Sequence, residues 1–387
     1  MSKKIVFISA YPNAIDVYQY IFFQNLIFAL ADMGVECHVV SPVSITKYKK
    51  RVNEIPRHSI DITPNGNKVY VNHPRYISAS AKKIGGFNTG KITVRNYINA
   101  AVKETERLKI DFDAAYGHFF ISGGLAAIAV GRKFNIPSFV AYGECDWESQ
   151  VTALYRNLNR NDIEGLTGII SVSQKNTAEL NDKGIFEDIP IETFENAVDM
   201  SLFGNLTKEE ARNKFNLPQD KLIVGFVGGF IERKGDKRLL EACKDIEGVY
   251  LAFAGRGADK PVGEKVVFCD SVNHDEIGDF LSAVDVFCLP TLSEGCCNAV
   301  LEAMAAGKAI ISSDLPFNDG VLTDENSIRI NPNSIDEIRD AVIKLRDDVA
   351  FRETIANKAK EDSKNFTIEK RAERILDFIN SVAGNIK

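Results

Sequence analysis

Short apolar runs rich in β-branched residues alternate along this chain with longer stretches whose apolar positions recur three and four apart. The first pattern marks buried strands, the second amphipathic helices. Residues 5–9 open the chain as a strand, residues 16–33 have helical spacing and stop at Gly34, and residues 35–41 form the next strand. A glycine after the last periodic position is a common helix stop. Residues 42–90 break the rhythm: rich in Lys, Asn, Pro and Gly, they read as loops and an irregular excursion. The alternation resumes with a helix over 91–109, a strand over 114–118, a helix over 124–134 and a strand over 138–142. A strand at 168–172, a helix at 174–183 and a strand at 190–194 follow.

The series then starts again. Strands are predicted at 221–227, 249–254, 266–269, 284–289 and 309–312, with helices at 236–244, 274–282 and 298–306. Strands that alternate with helices build parallel sheets covered by helices on both faces. Two such series, joined near residues 196–206, predict an α/β protein of two doubly wound, Rossmann-like domains facing a cleft. Ligands of such sheets bind beyond the C-terminal strand ends, so the functional residues should lie just after strands. A last amphipathic helix covers residues 366–379.

Composition narrows the picture. At 387 residues, with 45% hydrophobic and 26% charged, the chain has material for two cores. Its first ten residues are too short and too charged for a signal peptide, and no apolar stretch approaches the roughly 20 residues that span a bilayer. The apolar segment 20–30 is interrupted by Gln24 and Asn25 and reads as a core-facing helix. A cytoplasmic protein is the expectation. The seven cysteines include no CxxC pair and no zinc-ligand spacing, as expected for buried apolar residues in a reducing compartment. Residues 1–110 carry 16 Lys and Arg against 7 Asp and Glu, whereas the rest of the chain carries 31 against 46. A basic first third suits an anionic acceptor or peripheral contact with an anionic membrane; an uneven spread of solvated charge gives the same count. No nucleic-acid-binding motif accompanies it, and the pI near 5.6 argues against that class of partner.

The chemistry concentrates in residues 285–307. A buried strand ends at Pro290, a polar loop holds Glu294 and Gly295, and a helix begins near Cys297 and Asn298 with Glu302 about one turn in. Carboxylates accept pairs of hydrogen bonds from vicinal hydroxyls. A helix start offers free N–H groups and a positive dipole end to a diphosphate. After the strand at 221–227 come Gly228 and Gly229, which let a ligand approach the backbone, and Lys234, which can reach its phosphates. Gly255 and Gly257 after the next strand read either as a tight turn or as a base contact.

Together these segments resemble the retaining glycosyltransferase family 4 of two-domain GT-B enzymes. The resemblance covers essentially the whole chain and is densest between Asn196 and Gly307. Asn196, Val198, Asp199 and Phe203 look like the family's lead-in to its second domain, Lys234-Gly235 like its Lys-Gly motif, and Ser293-Glu294-Gly295 through Glu302-Ala303 like its two-glutamate motif. Tyr11-Pro12-Asn13, Tyr116-Gly117-His118-Phe119 and Ser122-Gly123-Gly124 are similar to members that build bacterial cell-wall, capsular or exopolysaccharide chains. The resemblance implies an acceptor-side domain over 1–196, a nucleotide-sugar domain over 197–366, and a C-terminal helix, 367–387, packed back on the first. It implies that Glu294 holds donor-sugar hydroxyls, assisted by the backbone of Gly295, Cys296 and Cys297, and that Glu302 holds the ribose. Lys234 would bind the diphosphate with the N–H groups of Ala299 and Val300, Val272 would lie against the base, and His118 would reach the transferred sugar across the cleft. The expected donor is a UDP-hexose, the acceptor a glycan or lipid-linked glycan, with no cofactor and no catalytic metal.

Three departures stand out. The family often has Arg where this chain has Gly229, and Arg233 is the candidate to supply that charge. The first-loop glycine pair is replaced by Asn13-Ala14-Ile15-Asp16, and the glycine expected near Asp270 is absent. Asp111-Phe112-Asp113 spells the DxD of metal-dependent transferases but precedes a strand instead of following one. A nicotinamide dehydrogenase is excluded because residues 9–13 contain no glycine. A GT-B nucleotide-sugar epimerase or phosphorylase, or a non-catalytic nucleotide-sugar or glycan-binding protein, would share the fold; the first two fit the two-glutamate motif less well.

Overall fold

The computed structural model describes residues 2–79, 83–84 and 87–384. Residues 80–82 and 85–86 of the expected excursion, and 385–387 of the expected last helix, lie outside the described residues. The chain divides into two compact units, Met1–Phe194 with Ile368–Lys387, and Glu195–Thr367.

In the first unit one sheet contains β1 (Lys4–Ile8), β2 (Glu36–Val40), β3 (His58–Ile62), β4 (Lys68–Asn72), β5 (Ala114–His118), β6 (Ser138–Tyr142), β7 (Leu166–Ser171) and β8 (Ile191–Thr193). Their order is β8-β7-β6-β5-β1-β2-β4-β3. Only the β3–β4 pair is antiparallel among these neighbours. β1 shows why the sequence takes this form: Ile5, Val6, Phe7 and Ile8 are all fully buried, as expected of a strand covered on both faces. Helices α1 (Ile21–Asp32), α2 (Gly90–Leu108) and α3 (Leu125–Phe134) cover it. α1 sends Phe23, Leu26, Ile27 and Leu30 into a core shared with Phe7 and Tyr116.

The C-terminal helix Ile368–Gly384 belongs to this same core: Ala372, Ile375, Phe378 and Ile379 pack in it, and Arg371 donates to the Phe194 carbonyl. Each large apolar side chain so buried stabilises the docking by about 1.5–3 kcal/mol. The return of the chain to its first unit is therefore a packing event, driven by one apolar stripe.

The second unit holds β9 (Leu222–Val227), β10 (Val249–Ala254), β11 (Val266–Asp270), β12 (Val286–Leu289), β13 (Ala309–Ser313) and β14 (Ser327–Ile330), all parallel, in the order β11-β10-β9-β12-β13-β14. The order reverses between β9 and β12, and at such a switch point the loops leave a crevice beyond the strand ends. α4 (Asp236–Cys243) follows β9 and α5 (Asn298–Ala305) follows β12.

Two corrections concern elements. The expected irregular stretch 42–90 contains the β3–β4 hairpin, closed by Pro64-Asn65-Gly66-Asn67 with Gly66 at φ +86°. Asn-Gly between two alternating segments is a strong hairpin signal. It was masked by β3 lying at the sheet edge, where Ile60 and Ile62 stay exposed and imitate loop composition. The second unit also contains β14 and the helices Ile335–Asp347 and Val349–Ser363, which the reading of the sequence did not place.

Candidate functional site

The loops after β9 and β12 are locked to each other. Leu292 N donates to the Arg233 carbonyl at 2.8 Å, Arg238 donates to the Pro290 carbonyl at 2.9 Å, and Arg233 donates to the Ser293 carbonyl. Gly235 makes this approach possible. It sits at φ +82°, and a Cβ there would fall 2.5 Å from the Pro290 oxygen. Only glycine fits both the left-handed backbone and the contact.

At this junction three donors converge on one carboxylate oxygen. Glu294 Oε1 lies 2.7 Å from Lys234 Nζ, 2.8 Å from Arg233 Nη1 and 2.7 Å from Thr291 Oγ1. Glu294 is 6% exposed and Thr291 fully buried. Oε2 has no hydrogen bond among the described residues. A carboxylate anchored through one oxygen and open through the other is pre-set to accept a hydroxyl. Burial opposes the charge of Lys234, but the Cys297 thiol and the Glu294 carboxylate outweigh it, so the ammonium is held above the usual lysine range.

Glu302, on the second turn of α5, completes the group. Its half-buried carboxylate has no hydrogen-bond partner among the described residues. Burial pushes its pKa up to about 7, opposed by the Lys234 ammonium. A half-buried carboxylate without a hydrogen-bond partner among the described residues can accept from a ligand's hydroxyls.

α5 starts between the two glutamates. Among the described residues the N–H groups of Asn298 and Ala299 have no acceptor. Val300, expected to offer its N–H to a diphosphate, instead donates it to the Cys297 carbonyl at 3.1 Å. The N–H groups left open at the start of α5 among the described residues are thus those of Asn298 and Ala299, and not that of Val300. Cys297 is buried, and its thiol is pushed up to about 12 by that burial, which removes it from redox chemistry. Cys296 accepts from Asn196, N–H to sulfur at 3.3 Å and side-chain amide to carbonyl at 3.2 Å. Asn196 therefore fastens the start of the second unit to the glutamate loop. Gly295 lies buried in that loop.

The glycine-rich turns divide in role. A Cβ at Gly255 would lie 1.8 Å from the Gly228 oxygen, so Gly255 is required by the packing of two turns against each other. At Gly229 the nearest atom to an added Cβ is the Arg256 oxygen at 3.7 Å, which leaves room for a side chain. Val272 is half-buried in the loop after β11.

His118 closes β5 in the first unit and is buried there. Burial first, then the Arg371 guanidinium, pushes its pKa down to about 3, so the imidazole is neutral at physiological pH. Asn13 replaces the missing glycine pair with a side-chain turn: its Oδ1 accepts from Ile15 N at 3.0 Å and Asp16 N at 3.1 Å. Asp113 of the DxD sequence accepts from Lys4 N at 2.7 Å, tying two strand starts together. Among the described residues, no group of three or more His, Cys, Asp or Glu side chains is placed to hold a metal ion, and no helix is long and apolar enough to cross a membrane. The reading of the sequence missed Thr291 and the clamp formed by Arg238 on Pro290; neither has a sequence signal beyond its place after a strand.

Residues 207–362 match the family model "Glycosyl transferases group 1". Over 370 residues the chain is 24% identical to the putative teichuronic acid biosynthesis glycosyltransferase TuaC of Bacillus subtilis, covering 92% of each chain. The sucrose-phosphate synthase of Thermosynechococcus elongatus superposes with a TM-score of 0.78 at 18% identity, over 99% of this chain and 100% of that one. Anabaena HepE in complex with UDP superposes at 0.70 with 13% identity, over 98% and 100%. The fold is that of GT-B enzymes, two α/β Rossmann-like domains with parallel sheets, and the matches support a glycosyltransferase.

Proposed function

We propose that this chain is a retaining glycosyltransferase of family 4 that moves a hexose from a UDP-sugar to a glycan or lipid-linked glycan in cell-surface polysaccharide synthesis. The observation that carries the reading is the triad of Lys234, Glu294 and Glu302 around the first turns of α5. Glu302 takes the ribose hydroxyls, Glu294 Oε2 takes hydroxyls of the donor sugar, and Lys234 with the Asn298 and Ala299 N–H groups takes the diphosphate. The TuaC match favours a cell-wall polymer as product, and the UDP complex of a structural neighbour favours uridine as the base.

The mechanism follows from charge. As the sugar–phosphate bond breaks, negative charge grows on the departing diphosphate, where a preorganised ammonium and a helix start stabilise it most. These groups supply the counter-charge without a metal or cofactor. The leaving oxygen then takes the proton of the incoming hydroxyl on the same face of the sugar, and the anomeric configuration is retained. Positioning supplies the rest of the rate. Lys234→Ala should lower kcat by about 10²–10³-fold.

A cytoplasmic enzyme acting on lipid-linked acceptors would sit on the inner membrane face. Support comes from the exposed stretch of Lys47, Lys49, Lys50, Arg51 and Arg57 in the first unit. Binding to anionic but not neutral vesicles at low salt tests this contact, and absence of binding removes it. The function itself is tested by incubating the purified protein with a panel of nucleotide sugars and reading nucleotide release. Release from a UDP-hexose, lost in Lys234→Ala, is expected; no release from any nucleotide sugar, with folded protein, would leave only a binding protein.

A further inference from the structure

The chain leaves the second sheet at Pro290, which has no N–H to extend the ladder that pairs Leu289 with Ser312. From there the segment carrying Glu294 is held on two flanks. On the β9 side Arg238 and Arg233 hold the Pro290 and Ser293 carbonyls. On the β13 side the bonds come from buried polar side chains, Ser312 and Ser313 at 0% exposure and Asn318 at 2%. Ser312 Oγ donates to the Leu289 carbonyl at 3.0 Å, and Ser313 Oγ to the Thr291 carbonyl at 2.6 Å. Asn318 ends the turn Pro316–Asn318; its Nδ2 donates to the Ser313 carbonyl at 2.8 Å and reaches Ser312 Oγ at 3.4 Å.

Polar groups buried at one strand end are costly unless they are bonded, and a bonded network fixes a single arrangement of the groups it joins. This network ends on the carboxylate of Glu294. Thr291, fully buried, accepts from Ser313 through its carbonyl and donates its hydroxyl to Glu294 Oε1 at 2.7 Å. A path of hydrogen bonds therefore runs, residue by residue, from Asn318 through Ser313 and Thr291 to Glu294.

Lys234 and Arg233 bond the same oxygen, but their side chains are 16% and 34% exposed and long enough to follow a turning carboxylate to either oxygen. Thr291 cannot follow. It is β-branched and stiff about χ1, and Ser313 fixes its backbone. We propose that Thr291, with Ser313 and Asn318 behind it, is a positioning residue: it commits Glu294 Oε1 to the protein and leaves Oε2 for a ligand hydroxyl. That this hydroxyl belongs to the donor sugar rests on the proposed transferase function; the seating of Glu294 does not.

Two measurements on the full chain test this with Thr291→Val, which keeps the shape and removes the hydroxyl, and Ser313→Ala, which acts one residue further back. The first is hydrogen exchange read by mass spectrometry without nucleotide. Both variants should exchange about 2–10-fold faster over residues 292–297, as one lost hydrogen bond implies, and as wild type elsewhere in the second unit. The second is calorimetric titration with UDP, UDP-glucose and UDP-galactose. UDP lacks the sugar that Glu294 would hold, so its affinity should change by less than about twofold, while affinity for a sugar nucleotide that wild type binds falls about 2–10-fold. Thr291→Ser, which restores the hydroxyl, should recover both readouts. General damage would weaken UDP as much as the sugar nucleotide, and that result overturns the proposal. Wild-type exchange over 292–297 in both variants, or unchanged sugar-nucleotide affinity, overturns it as well. Wild-type protein that binds neither sugar nucleotide refutes the donor reading, and the exchange result then decides the seating of Glu294 alone: faster local exchange upholds it and unchanged exchange overturns it.

Discussion

Replacing Glu302 by Gln should make the protein more stable and less able to bind nucleotide. The carboxylate makes no hydrogen bond among the described residues, and burial raises its pKa from 4.5 to about 7. A raised acid means the folded state holds a proton that the unfolded state has lost, so stability falls as pH rises from 4.5 to 7. At about 1.4 kcal/mol per pKa unit the full shift corresponds to about 3 kcal/mol, and partial exposure of the side chain reduces it to about 1–2 kcal/mol. Gln escapes that cost at every pH. At pH 5 the variant and wild type should therefore melt together, while at pH 8 the variant should be about 1–2 kcal/mol more stable, or several degrees higher in Tm. Two charge-assisted bonds to ribose hydroxyls are lost in exchange, each of about 1.5–3 kcal/mol, so affinity for UDP at pH 8 should fall at least tenfold. Urea melts at both pH values and calorimetric titration with UDP read the two effects. A variant destabilised at pH 8 would show that the carboxylate supports the fold, and unchanged affinity would remove it from the nucleotide site.

Other substitutions probe neighbouring parts of the account. Gly229→Arg has room at its Cβ, with no atom nearer than 3.7 Å, and should tighten UDP binding by about 2–10-fold through a second cation near the diphosphate, read by the same titration. Gly235→Ala forces a Cβ against the Pro290 oxygen at φ +82° and should cost about 1–3 kcal/mol in urea melts, with weaker nucleotide binding because Lys234 shifts with its loop. Ile379→Ala, fully buried where the C-terminal helix joins the first unit, should cost about 2–5 kcal/mol and increase hydrogen exchange in that helix first. Near-neutral stability there would mean that the helix is not held by its apolar stripe.

The sequence was most informative where a single face or motif determines the structure. β1, β5 and β6 are buried along nearly their whole length in a sheet covered on both sides, and their limits could be read to within a residue. Lys234, Glu294 and Glu302 could be named because a strand end, a glycine pair and a helix start fix where each side chain falls. The β3–β4 hairpin escaped because an edge strand exposes half its apolar residues and so resembles a loop. The three-donor arrangement on one oxygen of Glu294 could not be read at all: it depends on loops far apart in sequence, drawn together by Gly235 and the Arg238–Pro290 bond.

The most direct test of the proposed donor site is a crystal structure of the chain with UDP. The account predicts both ribose hydroxyls on the Glu302 carboxylate, a phosphate oxygen within hydrogen-bond distance of Lys234 Nζ, and the diphosphate capping the Asn298 and Ala299 N–H groups. A nucleotide bound elsewhere in the second unit, with Lys234 still paired only to Glu294 and Glu302 untouched, would contradict it.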